Sequence, residues 1–166
     1  GARTINRSVI EHLDLIEQSD VQFIWQTGKF YHQQILDSIK DKELPNLKIM
    51  DFISDMGAAY KAADLVISRA GASSISEFQL IGKPVILVPS PNVAEDHQTK
   101  NAMALVNKDA ALCVKDVDAP DTLIKLALDT IKNDEKLASL SENVKKMGLK
   151  NSAEIIADEV IKLIKG

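Results

Sequence analysis

Apolar residues fall in five short runs along the chain, at 21–26, 46–52, 64–68, 84–89 and 110–114. Runs of this length, rich in β-branched residues, predict strands. In most of them neighbouring positions are both apolar, as in Leu65, Val66 and Ile67 or in Val85, Ile86, Leu87 and Val88. That is the pattern of strands buried on both faces, and it predicts a parallel sheet. Between the runs the apolar spacing changes to three and four. Ile5, Val9, Leu13 and Ile16 form one such stripe, and Tyr31, Ile35, Leu36 and Ile39 a second. Ile75, Phe78, Leu80 and Ile81 form another, followed by Ala102, Leu105 and Val106. Strands that alternate with helices predict an α/β doubly wound fold.

After Asp116 the strand pattern stops and three helices are expected, so that the chain has a helical C-terminal part from about residue 117. The first starts near Asp118 with Pro120 at an early helical position and carries Leu123, Ile124, Leu128 and Ile131. The second aligns Leu137, Leu140, Val144 and Met147 and is expected to end at Lys145, Lys146 and Gly148, since basic residues and a glycine suit a helix C-terminus. The third repeats Ile155, Ile156, Val160, Leu163 and Ile164. The sequence opens directly into a helix, whereas a doubly wound domain ordinarily begins with a strand and a turn. The expectation is that the first strand and most of its glycine turn lie upstream.

Composition narrows the partners. The 166 residues suit one domain with a sizeable core, and 45% hydrophobic with 27% charged residues is the mixture of a folded globular chain. A net charge of -4 argues against general affinity for nucleic acid or anionic lipid. The single cysteine, Cys113, cannot form an intrachain disulfide and reads as a core residue, and no Cys/His spacing suggests a metal site. No apolar run approaches the roughly 20 residues of a membrane-spanning helix.

In open α/β sheets ligands bind outside the carboxyl ends of the strands, which selects the loops 27–29, 53–56, 69–74 and 90–98. The third is the most informative. Ala70, Gly71, Ala72, Ser73 and Ser74 lead from a strand into a helix, where backbone N–H groups can face a diphosphate without obstruction. A second reading is a capping box between Ser74 and Glu77, and both readings can hold at once. His97 beside Asp96 and Glu95 admits acid–base or metal chemistry, against the alternative of solvated acids in a first helical turn. Gln98 and Asn101 either touch a sugar or face water. Asp55 is a candidate helix cap, Phe52 is either a stacking platform or core, His12 and His32 read as surface residues, and Trp25 reads as core.

An ordered series of short motifs carries more information than any one of them. It runs Gly1-Ala2-Arg3-Thr4-Ile5-Asn6, Gln26-Thr27-Gly28, Phe52-Ile53-Ser54-Asp55-Met56, the stretch from Ala62 to Gly71, Ser76-Glu77, Gly82-Lys83-Pro84, Val88-Pro89-Ser90-Pro91 and His97-Gln98-Thr99-Lys100-Asn101-Ala102. Over essentially the whole chain this resembles the C-terminal domain of the MurG family, bacterial peptidoglycan glycosyltransferases of glycosyltransferase family 28. The resemblance implies a Rossmann-like domain, the C-terminal half of a GT-B enzyme, so that residues 1–166 would be the domain binding UDP-N-acetylglucosamine. The parent would be an inverting hexosyltransferase that moves N-acetylglucosamine to lipid-linked N-acetylmuramyl pentapeptide, turning lipid I into lipid II. It would act in cell wall biogenesis, cell shape and division as a peripheral enzyme at the cytoplasmic face of the membrane.

The resemblance also implies residue roles. The backbone of Ile53 would meet uracil with Phe52 beside it. Ala72, Ser73, Ser74, Ile75 and Ser76 would form the turn and helix start near diphosphate and ribose, Glu77 would accept from ribose hydroxyls, and His97 and Gln98 would touch the donor sugar. No metal or cofactor is implied. The catalytic base, the acceptor site and the membrane-facing patch would belong to an N-terminal domain that this sequence lacks, so no catalytic residue is assigned here and this chain by itself is expected to be inactive. Two alternatives are a UDP-N-acetylglucosamine 2-epimerase-like GT-B domain, whose Gly-Gly-x-Gln-Glu-Glu signature is not found in the third loop, and a non-catalytic flavodoxin-like interaction module.

Overall fold

A computed structural model describes residues 2–91 and 96–165, the side chains of 149–160 and 162–165 excepted. Residues 92–95 of the fourth loop, Glu95 among them, and the side chains of the stripe Ile155, Ile156, Val160, Leu163 and Ile164 therefore lie outside what is described. All five expected strands form, and each pairing is parallel. The chain divides into two compact units, Gly1–Asp64 with Val114–Lys132 and Leu65–Cys113 with Asn133–Gly166.

In the first unit β1 (Phe23–Gln26) pairs with β2 (Leu47–Met50) from Phe23 opposite Leu47 to Gln26 opposite Met50. The first apolar stripe forms α1 (Arg3–Glu11) and α2 (Leu13–Glu17), interrupted at His12, and buries Val9, Leu13 and Ile16. Helix α3 (Lys29–Ile39) connects β1 to β2, and α4 (Met56–Ala62) follows β2. Helix α7 (Ala119–Ile131) has Pro120 in its first turn and packs on α1, burying Leu123 and Ile124.

In the second unit β3 (Val66–Ser68), β4 (Val85–Leu87) and β5 (Leu112–Cys113) lie in the order β3-β4-β5. Central β4 is wholly buried, as its unbroken apolar run requires. Helix α5 (Ala72–Ile81) joins β3 to β4, and α6 (His97–Val106) precedes β5. The pattern predicted one sheet, and the strands form two, because burial on both faces tells a strand's depth and not its neighbour.

The helical C-terminal part differs from expectation. The second and third helices are one, α8 (Asp134–Lys165), and Gly148 lies inside it. The glycine serves close approach instead of termination. Helix α8 packs along α5, and a Cβ at Gly148 would stand 2.5 Å from the Gln79 carbonyl oxygen. The helix end that does use a glycine is that of α5, where Gly82 adopts φ +66° and its N–H returns to the Phe78 carbonyl. Ser141 of α8 donates to the Gly82 carbonyl at 2.6 Å, a second tie between the two helices.

Among the described residues no helix is long and apolar enough to cross a membrane. Cys113 is half-buried on β5, and burial pushes its thiol above the usual range. The thiolate is the reactive form, so Cys113 is expected to react with a disulfide reagent more slowly in the native protein than in denaturant near neutral pH. A timed absorbance assay in both solvents checks this, and equal rates would contradict it.

Candidate functional site

The carboxyl ends of β1 and β2 are held by a polar network on an apolar background. Asn6 of α1 is buried, donates to the Thr27 carbonyl at 2.8 Å and accepts from the Trp25 indole N–H at 2.9 Å. Thr27 is fully buried. Its N–H reaches the Met50 carbonyl at 2.9 Å, and its hydroxyl lies 2.9 Å from Nδ1 of His32. These bonds satisfy groups that would otherwise be costly to bury and fix where the chain leaves the sheet. Gly28 follows at φ +80°, a conformation that glycine adopts without strain, and turns the chain into α3. His32 is therefore a half-buried member of this network and not a surface residue, and His12 is also half-buried, with Nδ1 3.1 Å from the Ser8 carbonyl. Trp25 is core, as expected.

Beyond β2, Phe52 is 57% exposed and is not core. Lys29 Nζ lies 5.9 Å from its ring centroid, within cation–π range, and the exposed ring remains a surface on which a flat base can lie. The Ile53 N–H donates to Gln26 Oε1 at 2.9 Å. Asp55 caps α4, accepting from the Ala58 N–H at 2.8 Å, as the sequence suggested.

In the second unit the small-residue turn after β3 enters α5 without a side-chain cap. Gly71 is the N-cap residue, and the first helical bond runs from the Ile75 N–H to the Gly71 carbonyl at 3.0 Å. The N–H groups of Ala72, Ser73 and Ser74 thus precede the first intrahelical bond, on exposed or half-buried residues at the positive end of the helix. Such an end accepts an anion. The expected Ser74–Glu77 capping box does not form, because the helix begins at Ala72 and places Ser74 and Glu77 inside it. Ile75 is buried and holds the turn to the core, whereas Ser76 and Glu77 are exposed. The Ser76 hydroxyl donates back to the Ala72 carbonyl at 3.1 Å.

The start of α6 is built against the same turn. Gln98 Oε1 accepts the N–H groups of Ala70 at 3.2 Å and Ser90 at 2.9 Å, and Asn101 donates to the Ala70 carbonyl at 3.1 Å. Asn101 and the Gln98 oxygen therefore order the loops after β3 and β4, while the amide nitrogen of Gln98 retains donor capacity. His97 is exposed at the first position of α6, next to Asp96, whose backbone is left-handed at φ 55°. Among the described residues no three His, Cys, Asp or Glu side chains gather as metal ligands.

Arg69 was not singled out by its sequence position. Its guanidinium donates to the Val88 carbonyl at 3.0 Å and the Pro89 carbonyl at 3.3 Å, tying the turn after β3 to the end of β4. A charged residue among small ones was the available signal. Asn6 and Gln26 entered only as members of the motif series, with no role of their own, since a polar residue beside an apolar stripe is ordinary until its partners are seen.

The model of the glycosyltransferase family 28 C-terminal domain matches residues 1–156. A UDP-N-acetylglucosamine--N-acetylmuramyl-(pentapeptide) pyrophosphoryl-undecaprenol N-acetylglucosamine transferase of Bacteroides fragilis is 66% identical over 98% of this chain. A protein of the same name from Cytophaga hutchinsonii is 48% identical over 99% of it. The chain spans 43% of the length of each of these relatives. The crystal structure of MurG from Acinetobacter baumannii is similar at a TM-score of 0.78 and 28% identity, covering 98% of this chain and 49% of that one. Parallel α/β architecture, the motif series and the family match agree, and the chain belongs to the glycosyltransferase family 28 C-terminal domain family.

Proposed function

We propose that residues 1–166 are the donor-binding domain of an inverting glycosyltransferase of peptidoglycan synthesis. The parent enzyme transfers N-acetylglucosamine from UDP-N-acetylglucosamine to lipid-linked N-acetylmuramyl pentapeptide. The observation that carries this reading is 66% identity, over 98% of the chain, to a relative whose name states that transfer. In the proposal the exposed Phe52 and the backbone of Ile53 meet uracil. The uncapped N–H groups of Ala72, Ser73 and Ser74 receive the diphosphate, Ile75 and Ser76 hold that turn, Glu77 takes the ribose hydroxyls, and His97 and Gln98 meet the sugar. The acceptor and the catalytic base belong to a separate N-terminal domain of the parent, which works at the cytoplasmic face of the membrane.

The chemistry assigned to this chain is binding and charge stabilisation. As the glycosidic bond to the donor sugar breaks, negative charge accumulates on the departing diphosphate, and N–H groups fixed at a helix start stabilise it without reorganising. Calorimetric titration with UDP-N-acetylglucosamine tests the reading, and absence of binding would return the domain to a non-catalytic interaction role. Uridine selectivity is the sharper test. The backbone of Ile53 distinguishes uracil from cytosine, which presents a lone pair at N3 where uracil presents an N–H. UDP is expected to displace a bound fluorescent uridine nucleotide at lower concentration than CDP, and equal displacement would remove the role of Ile53.

A further inference from the structure

Gln26 is the last residue of β1, half-buried and opposite Met50 in the strand register. Its Oε1 accepts the Ile53 N–H at 2.9 Å, across the point where the chain leaves β2. On the far side of Ile53, Asp55 is fixed by its cap on α4. The short segment that carries Phe52 and Ile53 is therefore tied at both ends. With its N–H taken, Ile53 has its carbonyl as the open backbone group, and among the described residues that carbonyl accepts no hydrogen bond.

We infer that Gln26 is a positioning residue for base selection: by holding the Ile53 N–H it fixes the Ile53 carbonyl as the group that reads the base. The inference rests on the proposed meeting of Ile53 with uracil and adds what sets its specificity. A carbonyl accepts from the N3–H of uracil. Cytosine has a lone pair at N3, which faces the carbonyl acceptor to acceptor. One fixed carbonyl thus separates the two bases by one favourable contact and one repulsive contact. Were Ile53 free to turn its N–H toward the base, cytosine N3 could be accepted and the selection would fade. A glutamine suits the position because its amide oxygen satisfies the N–H without placing a carboxylate beside an anionic nucleotide.

The test compares wild type, Gln26→Leu and Gln26→Glu. Leucine removes the acceptor, and glutamate keeps one at the same reach. The readouts are the ratio of CDP to UDP dissociation constants, which cancels any general repulsion from the new charge, and hydrogen exchange at the Ile53 amide, which needs no ligand. Melting curves establish that each variant is folded. Gln26→Leu is expected to lose about tenfold of the preference for UDP and to exchange the Ile53 amide rapidly, while Gln26→Glu keeps both the preference and the protection. If wild type shows no preference for UDP, the proposed meeting of Ile53 with uracil fails and this inference with it. If wild type prefers UDP but Gln26→Leu does so equally, Gln26 does not set specificity and the role of Ile53 stands; if Gln26→Glu loses the preference, holding the Ile53 N–H is not how the position acts and the inference fails. Should the leucine variant not fold, Gln26→Ala, which also removes the acceptor, is read in its place with the same expected outcomes.

Discussion

A Glu77→Gln variant is expected to bind UDP roughly tenfold to a hundredfold more weakly than wild type while melting at nearly the same temperature. The expectation of unchanged stability follows from the geometry of α5. Gly71 is the N-cap and no side chain caps the helix, so Glu77 is not the return partner of a capping box, and replacing it leaves the helix start as it was. Glutamate and glutamine have similar helix propensities, and glutamine keeps an acceptor oxygen at the same reach, so the exchange costs the helix little. A ligand is not. A carboxylate accepts from two adjacent ribose hydroxyls, whereas an amide offers one oxygen and turns a donor toward the second hydroxyl. Hydrogen bonds to charged groups contribute about 1.5–3 kcal/mol, and losing one corresponds to the stated weakening. A melting curve and a UDP titration on the same variant provide the measurement. Unchanged affinity would remove Glu77 from the site, and a large loss of stability would show that its role is in the fold.

The same helix shows which parts of the molecule are legible in the sequence. The turn into α5 was visible because a row of small residues between a strand and a helix leaves the backbone open to a close-lying group, and the cap by Asp55 was visible because it is local. What lies within a few residues is written in the order of the chain. The capping box was also a local match and yet does not form, because the choice of N-cap at Gly71 depends on where β3 releases the chain, not on the spacing of Ser74 and Glu77. Gln26, Asn6 and Arg69 act across sequence separations of roughly 20 residues or more, and their roles appear only when β1 lies beside β2 and β3 beside β4. The motif series, in contrast, indicated the family over nearly the whole chain, since a family's site residues keep their order even where no single one explains itself.

Gly148 is the position where local and distant readings give opposite answers, and substitutions there are expected to destabilise the protein strongly. In an exposed helix interior, replacing glycine by alanine stabilises by about 1 kcal/mol. At Gly148 the added Cβ would stand 2.5 Å from the Gln79 carbonyl oxygen and 2.8 Å from its carbon. Both belong to the backbone of α5, which cannot rotate aside as a side chain does, so one helix must shift. Overpacking of this kind costs about 1–3 kcal/mol, enough to lower the melting temperature of a domain this size by roughly 3–10 °C. Alanine alone does not separate close approach from a helix end, because a glycine that terminates a helix in the left-handed conformation also resists alanine. Asparagine does. It is the next best residue at a left-handed helix end, so a terminating glycine ranks Gly above Asn above Ala. At a close approach the larger side chain is worse, and the expected order in thermal melts is Gly above Ala above Asn. The consequence extends to the ligand, because α5 carries the proposed diphosphate site at its first turn and is held by α8 at Gln79 and Gly82. A shift of α5 therefore moves the Ala72 and Ser73 N–H groups, and UDP affinity is expected to fall in Gly148→Ala even at temperatures where the variant is fully folded.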